Sequence, residues 1–164
     1  MERHLIESDL RLKESDKRID ELFEKLEAQS FEPKQGVFFQ GEMFDAYALF
    51  DRLLQGAKSE IILIDNYIDL SILERLSKKK TGVNVKIYTH PRTSITGLDI
   101  STFNSQYPHL DLFKTTTMHD RYLIIDNKDL YHIGASLKDL GKKCFAFNKM
   151  DDADVLIAEI LRNV

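Results

Sequence analysis

The chain has 164 residues and a formal net charge of −4, and 43% of its residues are hydrophobic. This length and apolar content fit one globular domain with an appendage, and the weak acidic balance excludes a surface that is basic throughout. The single cysteine, Cys144, excludes an intramolecular disulfide framework and predicts a reducing compartment, the cytoplasm. The longest apolar runs are only strand length, so we expect no membrane partner.

The first thirty residues predict a helix that differs from the rest of the sequence. They contain no glycine or proline, and they carry six basic against nine acidic residues. Four apolar residues recur at seven-residue spacing, namely Leu5, Leu12, Ile19 and Leu26. This pattern fits two interpretations equally well: an amphipathic helix on its own domain, or a weak coiled-coil stalk that joins two protomers. Because the chain opens in charged helical sequence, it could also be a piece of a longer protein.

Pro33 and Gly36 break this helix and predict a boundary between an N-terminal helix, residues 1–30, and a folded domain, residues 31–164. Strands are then predicted at residues 37–39, 60–67, 83–88 and 110–113, in the segment that carries His119, and at residues 130–133 and 144–147. Helices are predicted at residues 43–54, 71–79, 99–107 and 153–161. Strands separated by helices predict an α/β fold with a mixed sheet sandwiched by helices.

The most informative segment places a histidine and an arginine two residues apart in a predicted strand. Because side chains alternate along a strand, His119 and Arg121 are expected on one face. Histidine can act as a nucleophile or proton donor, and a guanidinium binds phosphate oxygens with two parallel hydrogen bonds. Ser136, after the next strand, can add a hydrogen bond. The local charge agrees, since residues 114–149 contain seven basic and four acidic residues.

The wider pattern resembles the phospholipase D superfamily signature, His-x-Lys-x4-Asp followed by Gly-Ser-x-Asn. Here it reads His119-x-Arg121-x4-Asp126, a turn at Asn127-Lys128 and a strand ending in Gly134-Ala135-Ser136-Leu137-Lys138. Arginine stands where the family has lysine, one alanine is inserted, and lysine replaces the final asparagine. The resemblance covers residues 37–164 in organisation. More closely, residues 64–69, 103–107 and 131–143 resemble the C-terminal part of prophage-associated RhuM-like proteins, in which this domain follows a DNA-binding module.

The superfamily resemblance implies a reaction in which one histidine attacks phosphorus and a second protonates the leaving oxygen, without a metal or other cofactor. A complete site needs two copies of the motif and this chain has one, so the resemblance implies a homodimer with a shared site. It assigns His119 as nucleophile or acid, Arg121 as phosphate clamp, and Ser136 and Lys138 as phosphate ligands. Asp126 belongs to the same motif, although a carboxylate at a strand end more often orients a turn than reacts.

Asn66 and Tyr67 are further candidates for substrate binding, because ligands of α/β sheets gather beyond strand ends. A tyrosine packed at the sheet rim and an asparagine capping the next turn explain them equally well. Lys142 and Lys143 are candidates for contact with a phosphate backbone.

Two functions fit these residues. The first is a metal-independent phosphodiesterase that acts on nucleic acid through a phosphohistidine. The second is a catalytically silent domain that dimerises and binds nucleic acid or another phosphate ligand for a fused DNA-binding module. A lipid-hydrolysing enzyme is disfavoured, because the sequence shows no amphipathic membrane helix.

Overall fold

The structure, a computed structural model, describes residues 2–30 and 33–164, with side chains for all of these except residues 2 and 26–30. The chain divides into two compact units, Met1–Lys34 and Gln35–Val164. The predicted break begins at residues 31 and 32, which lie outside the described residues. The first unit contains one helix, α1 (Glu2–Ser30), as predicted.

The apolar side chains of α1 are exposed to solvent. The exposed fraction is 69% for Leu5, 61% for Leu12 and 45% for Ile19. The fourth residue of this series, Leu26, is among those whose side chains are outside the described part. The described positions of the seven-residue series therefore form an uncovered apolar stripe, which leaves the coiled-coil interpretation a prediction.

The second unit is a seven-stranded mixed sheet flanked by helices, which confirms the predicted fold class. Its strands are β1 (Gln35–Phe38), β2 (Glu60–Ile64), β3 (Asn84–Thr89), β4 (Leu110–Lys114), β5 (Arg121–Ile125), β6 (Asp129–Ile133) and β7 (Phe145–Lys149). Its helices are α2 (Met43–Gly56), α3 (Leu70–Leu76), α4 (Gly97–Gln106), the 3₁₀ turn Leu137–Asp139, and α5 (Ala153–Asn163). The strand order is β1-β7-β6-β5-β2-β3-β4, in which β2, β3 and β4 are parallel and all other pairs are antiparallel.

Burial follows from coverage of both faces of the sheet. Alternate residues of the central strand β2, such as Ile61 and Leu63, pack with α2, α3 and α4 on one face. Ile62 and Ile64 pack with α5 on the other face. All four side chains are buried, as expected for a strand that is covered on both sides.

Two of the helices, α3 and α4, begin at a side-chain cap. The carboxylate of Asp69 accepts a hydrogen bond from the backbone N–H of Ser71, at 3.0 Å, and caps α3. Thr96 and Asp99 form a reciprocal capping box at the start of α4. The predicted elements between residues 35 and 164 are all present, with most ends displaced by three residues or fewer.

Two differences concern the motif region. Strand β2 ends at Ile64 rather than at Tyr67, because the side chain of Asp65 accepts a hydrogen bond from the backbone N–H of Tyr67 and turns the chain. Strand β5 begins at Arg121, so His119 lies in the preceding loop and not within the strand. The alternation argument therefore applies from Arg121 onward.

Candidate functional site

The candidate site lies at one end of the sheet, where strands of opposite direction bring distant segments together. The carboxyl ends of β2 and β6 meet the amino ends of β5 and β7 at this edge. The segments that follow or precede these strands are Asp65–Tyr67, Gly134–Ser136, His119–Arg121 and Lys142–Cys144. Most of the residues predicted from the sequence are in these four segments.

The loop before β5 is held in place by Asn66. Its side-chain amide donates a hydrogen bond to the backbone carbonyl of Met118, at 2.7 Å. Met118 directly precedes His119, which is exposed to solvent. Asn66 is therefore placed to position the backbone that carries His119. Its side-chain oxygen is buried and has no hydrogen-bond partner among the described residues.

Asp65 is the buried residue that joins the two halves of the site. Its carboxylate accepts hydrogen bonds from the hydroxyl of Ser136, at 2.9 Å, and from the backbone N–H groups of Leu137 and Tyr67, at 2.8 and 2.9 Å. Burial raises the pKa of Asp65 above the usual range of aspartate, although these hydrogen bonds and the charge of Arg121 act in the opposite direction. Sequence reasoning did not select Asp65, and an acidic residue directly after a buried strand was the signal available.

The turn after β6 requires glycine at its first position. The backbone N–H of Gly134 donates to the carbonyl oxygen of Ala146, at 2.8 Å, and a Cβ at Gly134 would lie only 2.9 Å from that oxygen. A side chain at this position would separate the turn from β7. The turn then directs the Ser136 hydroxyl toward Asp65, and Ser136 is 6% exposed.

An open cleft of about 490 Å³ lies over this turn. Its lining consists of Tyr67, Arg121, Gly134, Ala135, Ser136, Asp139, Lys142, Lys143 and Cys144. Three of the lining residues are cationic. Lys142 forms an ion pair with Asp139, at 2.8 Å, and this contact raises the pKa of its ammonium group, so it stays protonated at neutral pH.

Arg121 has features that fit a phosphate clamp. Its side chain is half-buried, and its Nε atom is buried without a hydrogen-bond partner among the described residues. Its guanidinium carbon lies 5.7 Å from the centroid of the Tyr67 ring. Because Nε itself is buried, an anion in the cleft would be bound through the terminal nitrogens of the guanidinium.

Two of the predicted site residues lie elsewhere. Lys138 follows Ser136 in the 3₁₀ turn, and its backbone carbonyl accepts a hydrogen bond from the hydroxyl of Tyr47, but it does not line the cleft. Asp126 lies at the opposite end of β5 from Arg121. Its carboxylate accepts hydrogen bonds from the backbone N–H groups of Lys58, Ser59 and Glu60, so the structure does not bring it to His119.

Two further observations concern metals and membranes. Within residues 2–30 and 33–164, no three His, Cys, Asp or Glu side chains cluster so that they could hold a metal ion. No helix in the described part of the chain is both long and apolar enough to cross a bilayer.

No protein-family model matches the sequence, and no curated protein matches it. Solved structures do match. NucT from Helicobacter pylori has a TM-score of 0.56 and 15% identity, over 79% of this chain and 96% of that chain. Nuc from Salmonella typhimurium, a phospholipase D family member, has a TM-score of 0.54 and 21% identity, over 78% and 89%. TrmBL2, an archaeal chromatin protein, has a TM-score of 0.52 and 17% identity, over 98% of this chain and 62% of that chain.

The second unit of this chain therefore has the fold of the phospholipase D family nucleases. This confirms the family resemblance at the level of the fold, since identities of this size carry no residue roles with them. The narrower resemblance to RhuM-like proteins stays a prediction.

Proposed function

We propose that this chain is a metal-independent phosphodiesterase that cleaves nucleic acid through a phosphohistidine intermediate. The observation that carries the proposal is the meeting of the His119–Arg121 segment with the Gly134–Ser136 turn at one end of a phospholipase D-type sheet, beside a cleft with three cationic lining residues. A histidine and an arginine beside a cationic cleft are groups that phosphoryl chemistry uses.

In the proposed reaction, an imidazole nitrogen of His119 attacks phosphorus and the bond from phosphorus to the leaving oxygen breaks. The leaving oxygen takes a proton from His119 of the partner subunit. Water then attacks the phosphohistidine and gives a proton to His119 of the partner subunit, the bond from phosphorus to nitrogen breaks, and the phosphomonoester leaves, so that both histidines regain their starting forms. Arg121 binds the non-bridging oxygens, whose negative charge is concentrated in the transition state.

The homodimer follows from the number of motifs. Among the five histidines of the sequence, His119 alone has a lysine or arginine two residues after it and an aspartate five residues after that cation. A two-fold axis near His119 would supply the second histidine, because an isologous interface brings the same residue to the axis twice. The exposed apolar stripe of α1 supports a secondary contribution from a parallel helix pair.

Nucleic acid is the proposed substrate because the cleft is cationic and because proteins of this fold include nucleases and a DNA-binding chromatin protein. The test is incubation of purified protein with end-labelled single- and double-stranded DNA and RNA in excess chelator. Cleavage should persist in chelator. Activity that chelator abolishes and magnesium or manganese restores would contradict the mechanism. Light scattering should report a dimer, and a strict monomer at micromolar concentration would contradict the shared site.

The second candidate is a silent domain that binds phosphate or nucleic acid. Two departures from the family signature favour it: Arg121 replaces the signature lysine, and Lys138 stands in place of asparagine and outside the cleft lining. Arginine keeps the charge but places a planar fork where the family has a compact ammonium group. Binding without cleavage in the same assays would establish this function in place of the first.

A further inference from the structure

We propose that the ring of Tyr67 is a stacking platform for one unpaired base, so that the cleft takes single-stranded nucleic acid in preference to a duplex. This inference rests on the proposed function only in taking nucleic acid as the ligand. It adds the form of that ligand and a role for a side chain that the phosphoryl chemistry does not use.

The backbone of Tyr67 is fixed on both sides of its side chain. Its N–H donates to the carboxylate of Asp65, at 2.9 Å, and its carbonyl oxygen accepts from the hydroxyl of Ser136, at 3.3 Å. Both of these partners are buried. On a fixed backbone, a tyrosine has only its two side-chain torsions left to lose when a ligand packs on the ring, which favours binding.

The ring itself is available to a ligand. Tyr67 is 57% exposed although it lines the cleft, and a tyrosine ring is apolar except for its hydroxyl group. Its protein neighbour within cation–π distance is Arg121, whose guanidinium carbon is 5.7 Å from the ring centroid. Exposed aromatic rings beside cations are the surfaces on which proteins stack unpaired bases.

Arg121 and Tyr67 are close enough to contact the phosphate and the base of one nucleotide, because the guanidinium carbon lies 5.7 Å from the ring centroid. A phosphate held by Arg121 places the attached sugar and base beside the Tyr67 ring, and Lys142 and Lys143 add charge for the continuing strand. In a duplex the base faces are covered by neighbouring base pairs. A duplex would have to be unstacked before the ring could contact a base, and this costs free energy.

A different use of Tyr67 would be a hydrogen bond from its hydroxyl group to a phosphate. The two uses separate cleanly in variants. Tyr67→Phe keeps the ring and removes the hydroxyl, whereas Tyr67→Leu keeps an apolar side chain and removes the ring. Phe44→Leu is the matched control, because Phe44 is 85% exposed and does not line the cleft.

The experiment measures binding of fluorescent oligonucleotides by anisotropy, in chelator, to the full-length chain carrying His119→Ala so that no strand is cut. The probes are oligo(dT) and oligo(rU) of about twelve nucleotides, the same DNA strand with abasic sites in place of its bases, and a blunt duplex of equal length. Inorganic phosphate serves as competitor. Every variant is checked for an unchanged melting temperature.

Tyr67→Leu should weaken oligo(dT) and oligo(rU) binding about tenfold, because one base-to-ring stack is lost. It should leave the abasic strand and the competition by inorganic phosphate unchanged. Tyr67→Phe and Phe44→Leu should stay within about twofold of the parent protein for every probe. The duplex should bind the parent more weakly than the single strand.

Equal losses on the abasic and normal strands would overturn the inference, as would a Tyr67→Phe effect as large as that of Tyr67→Leu. A duplex that binds as tightly as the single strand would also overturn it. These outcomes are separate from the fate of the enzyme. If the wild-type protein cleaves no substrate, the proposed hydrolysis is contradicted. If Tyr67→Leu still weakens binding only to strands that carry bases, the proposed stacking platform is supported.

Discussion

The two ends of β5 belong to one sequence motif but have opposite physical character. At the amino end, Arg121 faces an open cleft with its Nε atom unpaired among the described residues, and His119 is exposed. At the carboxyl end, the carboxylate of Asp126 is engaged by three backbone N–H groups and the hydroxyl of Ser59. Polar groups without a protein partner indicate a site for a ligand, whereas polar groups whose hydrogen bonds are all made within the protein indicate a structural role.

The contacts of Asp126 also explain how the hairpin of β5 and β6 is held. Asp126 and Asn127 have φ values of 55° and 53°, and the N–H of Lys128 donates to the carbonyl of Ile125. Because Ile125 pairs with Asp129, the hairpin loop consists of residues 126–128. Asp and Asn tolerate this left-handed conformation better than most residues. The aspartate of the motif therefore fastens the β5–β6 hairpin to the segment between α2 and β2, which holds β5 beside β2.

The largest expected effect is at the open end. His119→Ala should lower cleavage by about a thousandfold or more, because it removes the proposed nucleophile. Phosphate and oligonucleotide affinity should stay within about threefold, and the melting temperature should not change, because His119 is exposed. Single-turnover cleavage and anisotropy measure the two quantities. Residual cleavage close to that of the wild type would remove His119 from the reaction.

Arg121→Ala should damage both binding and cleavage. Losing a charge-assisted fork to phosphate should cost about 1.5–3 kcal/mol of binding free energy, with a further loss in the transition state. Arg121→Lys is the matched variant, because it keeps the charge and restores the family residue. Its cleavage should stay within about tenfold of the wild type. Wild type that binds but never cleaves, with Arg121→Ala alone impaired in binding, would make this a silent phosphate-binding domain.

A substitution at Asp126, at the carboxyl end of β5, should change the stability of the protein and not its affinity for phosphate. Asp126→Ala leaves the N–H groups of Lys58, Ser59 and Glu60 without their acceptor and puts alanine at positive φ, so the free energy of unfolding should fall by about 2–3 kcal/mol. Urea denaturation measures this change. The exposed Asp151 provides the control, since Asp151→Ala should change stability by less than about 0.5 kcal/mol. An Asp126→Ala protein of normal stability but reduced phosphate affinity would reverse the contrast between the two ends.

The smallest effect is a dependence on pH at the closed end. Partial burial raises the pKa of Asp126, but the hydrogen bonds from Ser59, Glu60 and Lys58 outweigh it and leave the pKa below the usual aspartate range. A depressed pKa in the folded state gives stability that is present above the unfolded pKa and is lost as pH falls through the folded one. The stability difference between wild type and Asp126→Asn should therefore shrink below about pH 4. A difference that stays constant from neutral pH to about pH 3 would contradict this origin.

The sequence by itself determined the secondary-structure elements and the proposed reacting groups. Three features are local sequence patterns and can be predicted without knowing the fold. They are the alternation of helices and strands, the ends of most helices, and a histidine two residues from an arginine near the start of a strand. The family resemblance added the phospholipase D type of this fold, which the solved structures confirm. The stop of β2 at Ile64 was missed, because period-two alternation does not show that Asp65 bonds to the backbone two residues later.

Only the tertiary structure decided which parts of the motif share a site. Asp65 binds the N–H of Leu137 across 72 positions of sequence, and Asn66 binds the carbonyl of Met118 across 52. Such contacts depend on strand order and direction, which long-range pairing sets and local pattern does not. The same pairing places Asp126 at the opposite end of β5 from Arg121, although the two residues belong to one motif in the sequence.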